Sequence, residues 1–159
     1  MIVVPDAGPL IYLGGASQLD LLRRLYTDVV VPRVVFDEVT LAGRDRTGAA
    51  EVRAATWLII EAEAPDPELL ATLDPGEAAA IPLAARLGAT LLVDDGAGRA
   101  AARDRGLVVV GTLGVLLTAK RRGLLPEVMP VLERMTRLGM FASAALVSEV
   151  RRLAGEENR

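Results

Sequence analysis

Histidine and cysteine are both missing from this 159-residue chain. Without cysteine there are no disulfides, no thiolate nucleophile and no thiolate metal ligand, a usage compatible with a reducing compartment. Without histidine there is no imidazole for metal-free general acid–base catalysis, and no nitrogen ligand of the kind Zn²⁺ favours. Aromatic residues are scarce as well, 3% against 52% hydrophobic overall, so the core must be built from Ala, Leu and Val, as is usual for helices packed on a parallel sheet. Basic charge is not in excess. Eighteen cations against 21 acids leave a formal net charge of −3. That argues against gripping nucleic acid by bulk electrostatics, though not against an enzyme that acts on it. Local basic groups remain at Lys120, Arg121, Arg122 and at Arg99, Arg103, Arg105. No apolar run approaches the ~18 residues needed to span a bilayer. Met1 leads directly into a strand pattern with no signal-peptide signature. A soluble, cytoplasmic protein with no membrane association is expected.

What is present is an alternation of apolar runs and helical segments that fits one domain. Strands are expected at Ile2 to Pro5, Asp28 to Val31, Trp57 to Glu61, Thr90 to Val93 and Leu107 to Val110. Helices fall between them: Pro9 to Leu13, one opened by a capping box at Ser17 to Asp20, one starting at Pro32, one from about Gly48 to Thr56 and one following Asp74. Pro82 lies inside the last of these and is expected to kink it. Three further helices, Leu113 to Arg122, Pro126 to Leu138 and Ala142 to Leu153, are separated by Gly123 and Gly139. Strands alternating with helices imply a mostly parallel central sheet covered on both faces, a three-layer α/β/α sandwich. Residues 1–155 are expected to form this domain and 156–159 a polar, frayed tail.

Acidic residues stand where apolar runs end or helices begin: Asp6, Glu38, Glu77, and Asp94 with Asp95. The carboxyl ends of parallel strands form the crevice where α/β proteins bind ligands. Carboxylates gathered there repel one another unless a divalent cation neutralises them, and an oxygen-only ligand set favours Mg²⁺ or Mn²⁺. Each residue also has a plainer explanation. Asp6 suits a helix N-cap, Glu38 a solvated helix face, and Glu77 a capping box with Asp74 and Pro75. Asp94 and Asp95 have no evident structural use, since adjacent carboxylates at a strand end repel. Thr112 reads as the N-cap of the helix it opens, or as a phosphate contact.

Taken in order, DAGPLIYL around Asp6, VPRVVFDEV around Glu38, LDPGEAAAIPLA around Glu77 and ATLLVDDGAGRAAA around Asp94 and Asp95 resemble the four acidic motifs of the PIN-domain nucleases. The likeness is greatest to VapC-like toxins and their relatives, in the subgroup that continues as RGLVVVGTLGVLLTAKRRGLL, and it covers nearly the entire chain. The resemblance implies a PIN-like fold and metal-dependent hydrolysis of single-stranded RNA phosphodiesters. Asp6, Glu38, Glu77, Asp94 and Asp95 would then be both the catalytic residues and the ligands of Mg²⁺ or Mn²⁺. It further implies a toxin of a toxin–antitoxin pair or a close relative, a homodimer, and a small antitoxin protein as partner. Gly8 stands where many relatives carry a small polar residue, and Glu77 where many carry Asp. Register sets Asp95 opposite the usual fourth acid while Asp94 lies closer to the strand end, so both remain candidates.

Two rivals follow from the same residues. The LLVDD segment looks like the acidic pair of a phosphorylation receiver, but the later strand offers only Val110, Gly111 and Thr112, with no phosphoacceptor Asp. The other rival is a catalytically weak PIN-like module that binds RNA or an antitoxin.

Overall fold

The computed structural model describes residues 1–42 and 46–158. Its strands are β1 (Ile2–Pro5), β2 (Asp28–Pro32), β3 (Ile59–Glu61), β4 (Thr90–Leu92) and β5 (Val109–Val110). Its helices are α1 (Ala7–Gly15), α2 (Asp20–Leu25), α3 (Arg33–Asp37), α4 (Ala49–Ala54), α5 (Pro75–Leu87), α6 (Gly96–Asp104), α7 (Thr112–Arg121), α8 (Met129–Arg137) and α9 (Ala144–Leu153). A π-helical turn, Glu38–Ala42, continues α3, and a 3₁₀ turn, Leu69–Ala71, precedes α5.

The strands pair in the order β3-β2-β1-β4-β5, every pair parallel. Side chains alternate across the pleat, so each strand feeds two cores. Val3, Val29, Val31 and Leu92 face one side, and Val4, Val30, Leu91 and Val93 the other. Strands that are apolar on both faces require helices on both. The first side is packed by Leu10 and Leu13 of α1, Leu22 of α2, Leu116 of α7, and Leu132 and Met135 of α8. The second is packed by Ala78, Ile81, Leu83 and Ala84 of α5 and Ala102 of α6. The three-layer architecture is therefore as expected, with the described sheet wholly parallel.

Where element ends differ from expectation, local hydrogen bonding explains the difference. Leu58 closes the turn after α4 through its N–H to Ala55 O, so β3 begins only at Ile59. Leu107 donates to Ala102 O beside Gly106, whose φ is +76°, ending α6 in a Schellman turn and delaying β5 to Val109. Ser17 does not cap α2. It takes φ +59° and donates to Gly14 O, leading the chain out of α1, and Leu19 holds the N-cap position of α2. Pro82 does not interrupt α5 either. Lacking an N–H it leaves Ala78 O free within the helix, and that carbonyl accepts from the Asp66 N–H at 2.9 Å. The proline thus docks the segment before the 3₁₀ turn.

The tail is a second correction. Glu156 is 1% exposed, takes the Lys120 ammonium at 2.8 Å, and accepts from the Val128 and Met129 amides at 2.8 and 3.0 Å. Those amides open α8, so the C-terminal segment ties α7, α8 and α9 together. Arg159 lies outside the described residues.

Candidate metal centre

The sheet order reverses between β1 and β4, and the carboxyl ends of those two strands flank the crevice that such a reversal creates. Asp6 follows β1 and donates its backbone N–H to Leu92 O at 2.8 Å, which fixes it beside the end of β4. Asp94 and Asp95 follow β4. Glu38 begins the π-helical turn, an irregularity often found at functional sites. Glu77 lies in the first turn of α5. All the expected acids therefore stand at one edge of the sheet, and their closeness can be read residue by residue.

Asp6 occupies the N-cap position of α1, yet its side chain makes no capping bond there, and among the described residues Oδ1 has no hydrogen-bond partner. At 9% exposure its carboxyl is pushed up to about 7, chiefly by burial. The Ala7 amide opposes this, while the charges of Asp74, Glu38 and Asp94 add to it. Glu77 is 6% exposed, with Oε2 likewise unpartnered. Burial, then Asp74, then the charges of Asp6 and Asp95 push it up to about 8. Burial and Asp74 also raise the exposed Glu38, and Arg46 partly offsets them. A methyl group on Gly76 would lie 3.2 Å from both Asp6 Oδ1 and Glu38 Oε2, so both oxygens border the space beside that glycine. A methyl on Gly98 would collide with Glu77 Oε2, so the glycine in α6 makes room for that carboxylate.

Two structural readings change. The capping box at α5 is one-sided: Asp74 Oδ1 accepts from the Glu77 N–H at 2.8 Å, but the Glu77 carboxyl turns into the crevice. Asp94 and Asp95, by contrast, do have structural uses. Asp94 accepts from the Thr112 N–H at 2.8 Å and the Thr112 hydroxyl at 2.6 Å, capping α7 from across the sheet. Asp95 is the N-cap of α6, accepting from the Gly98 N–H at 3.0 Å. Thr112 is accordingly the first residue of α7, with Gly111 at the N-cap, and its hydroxyl serves Asp94.

Asp74 was hidden in the sequence behind its role as a cap, yet it faces Asp6, Glu38 and Glu77 alike. Arg99 was read only as part of a basic cluster. Its guanidinium donates to Val93 O at 3.1 Å and lines a cavity of about 890 Å³ with Asp94 and Asp95. A second cavity, of about 400 Å³, is lined by Asp37, Glu38 and Asp74. Of the other cations in the two basic clusters, Lys120 pairs with Glu156 and Arg105 with Asp66.

The donor set fits a hard divalent cation: oxygen ligands only, like charges crowded together, and two dry carboxylate oxygens without a donor. As the side chains stand, no three acids among the described residues are arranged to hold one ion. Glu38 is exposed and free to turn inward, whereas Asp74, Asp94 and Asp95 are held by their helix bonds.

A PIN-domain family model matches residues 2–156, and the chain belongs to the PIN-domain family. PIN domains are generally nucleases and generally use divalent metals. Among solved structures, the chain is similar to a PilT N-terminus domain protein from the hyperthermophilic archaeon Sulfolobus solfataricus P2. The TM-score is 0.56 at 20% identity over 75% of this chain and 93% of that one. A domain of a functionally unknown protein from Methanocaldococcus jannaschii gives a TM-score of 0.46 at 20% identity, over 69% and 89%. No curated protein matches. Among the described residues no helix is long and apolar enough to cross a membrane.

Proposed function

We propose that this chain is a metal-dependent ribonuclease that hydrolyses phosphodiesters of single-stranded RNA. The observation that carries the reading is the pair of buried carboxylates, Asp6 and Glu77, each with an unpartnered oxygen, in the crevice between β1 and β4. Such groups are stable as anions only beside a positive charge. Asp6, Glu77 and Glu38, with Asp94 or Asp95, would hold Mg²⁺ or Mn²⁺, and Asp74 is near enough to join them. A divalent ion at that place supplies a lowered water pKa and offsets charge on the phosphate. Glu38, exposed at the rim, would be the acid left partly free to accept a proton from water. Arg99 supplies a fixed positive charge at the other rim.

The VapC-like assignment, and with it a toxin role and an antitoxin partner, rests on the resemblance of the motifs. A homodimer rests on the same ground. Within the apolar segments LIYLGG and LDLLRRLY, Leu10, Leu13, Leu21 and Leu22 are buried in the fold and are not offered to a second chain. Exposed Leu153 and Val108 remain for contacts between chains.

One observation favours the second reading, a catalytically weak module that binds RNA or an antitoxin: Asp94 and Asp95 cap helices, and no three acids among the described residues are set to grip an ion. A cleavage assay separates the two. The nuclease reading expects single-stranded RNA to be cut with Mg²⁺ or Mn²⁺ and left intact in EDTA. RNA binding without cleavage under either ion would establish the binding module instead.

A further inference from the structure

Resting on the nuclease reading, we propose that the larger cavity is a subsite for one unpaired nucleobase of the RNA strand, with Phe141 as its stacking platform. The cavity measures about 890 Å³, within the roughly 300–1,000 Å³ of ligand-sized pockets. It adjoins the metal centre through Asp94 and Asp95, and Tyr12, Leu113, Met140, Phe141 and Leu146 form its apolar lining. The chain has one Trp, two Tyr and two Phe, and two of these few rings line this single cavity. Phe141 is 86% exposed, so it contributes almost nothing to the core. Gly96 leaves bare backbone for a flat group to approach, with nothing within 4 Å of where its Cβ would stand.

The lining also selects among occupants. A phosphate would meet Asp94 and Asp95 with Arg99 as the one cation in the lining, and that guanidinium already donates to Val93 O. An apolar segment of a protein partner would desolvate both carboxylates without neutralising them. A nucleobase is flat, uncharged and polar at its edge, so it stacks on Phe141 while meeting the acidic rim with hydrogen-bond donors. Its own strand then continues towards the carboxylates. In a duplex the base is locked in the stack, so the subsite selects single strands.

Phe141 can be replaced without disturbing the fold, which permits a direct test. A labelled single-stranded 2′-O-methyl oligoribonucleotide, which resists cleavage, is titrated in Mg²⁺ with wild type, Phe141→Ala, Phe141→Leu and Phe141→Trp by fluorescence anisotropy. KM and kcat are measured in parallel on the cleavable RNA. Ala and Leu are expected to weaken binding roughly tenfold and to raise KM with kcat little changed, by the loss of one stacked base. Trp should restore both, and an abasic oligonucleotide should bind all four proteins alike. Binding unchanged in the Ala variant, or Leu restoring it as well as Trp, would overturn the subsite. Should wild type cleave RNA while Phe141→Ala shows an unchanged KM, the subsite falls and the nuclease reading stands. Wild type that neither binds nor cleaves RNA overturns both, and an effect confined to association with a protein partner reassigns the face and overturns the subsite.

Discussion

Asp6 and Glu77 are carboxyl groups in an environment made for something else to be present. Their ordinary values of 3.8 and 4.5 rise to about 7 and about 8 in the fold. An acid whose folded value is raised stabilises the fold fully below its unfolded value, and that stability disappears as pH rises through the folded value. Thermal denaturation of the metal-free protein is therefore expected to show a falling Tm between about pH 4 and about pH 8. Mg²⁺ or Mn²⁺ should restore Tm at the alkaline end, and a flat profile without metal would contradict the account. Asp6→Asn is expected to flatten part of the slope and leave Tm at neutral pH unchanged or higher, since no capping bond is lost. Its RNA cleavage should fall by more than about 100-fold, a scale that loss of even an outer-shell partner of a metal can reach. The acids were visible in the sequence because each stands where an apolar run ends or a helix begins. Asp74 was not, because a helix cap already accounted for it, and only the folded arrangement brings the cap beside Glu38 and Glu77.

At the scale of elements, helix starts deliver the chemistry. Asp6, Asp74, Asp94 and Asp95 sit at the N-termini of α1, α5, α7 and α6, where exposed amides and the helix dipole favour negative charge. The strand–helix alternation was legible from apolar runs and turn residues, and so was the edge where the acids gather. The helix each acid would cap was not, because Asp94 caps α7 across 18 positions of sequence. Glycines at these starts give a test that leaves charge unaltered. Gly98→Ala places a methyl against Glu77 Oε2. Alanine gains up to about 1 kcal/mol of helix propensity over glycine, so the fold should survive while metal affinity and cleavage drop at least tenfold. Full activity in a folded Gly98→Ala protein would show that the placement of Glu77 is immaterial. Pro82 makes a separate prediction. In Pro82→Ala the new N–H competes for Ala78 O, so the Asp66 amide should exchange faster with deuterium. An unchanged exchange rate would mean that the freed carbonyl does not anchor this segment.

For the whole molecule, the C-terminal segment is part of the fold. Polarity suggested a frayed end, but polar residues are buried where they are paired, and Glu156 has three partners that sequence distance concealed. Burial raises its carboxyl, yet Lys120 and the two amides outweigh burial and hold it below the ordinary value. Glu156→Ala leaves two amides without an acceptor and Lys120 with only the Ala154 carbonyl, and breaking a buried pair of this kind costs about 3 kcal/mol. For a chain of this size that is a drop in Tm of roughly 10 °C, and truncation after Gly155 should match it. A change of only a degree or two would show the contact to be incidental.

The central claim is that Asp6 and Glu77 form one metal centre with the acids around them, and calorimetric titration of Mn²⁺ at about pH 8 tests it most directly. Wild type is expected to bind with partial proton release, as the protonated fractions of Glu77 and, to a smaller extent, Asp6 ionise. Asp6→Asn and Glu77→Gln should each bind at least about 100-fold more weakly while remaining folded. Mn²⁺ binding equally well in both variants, or absent from the wild type, would contradict the account.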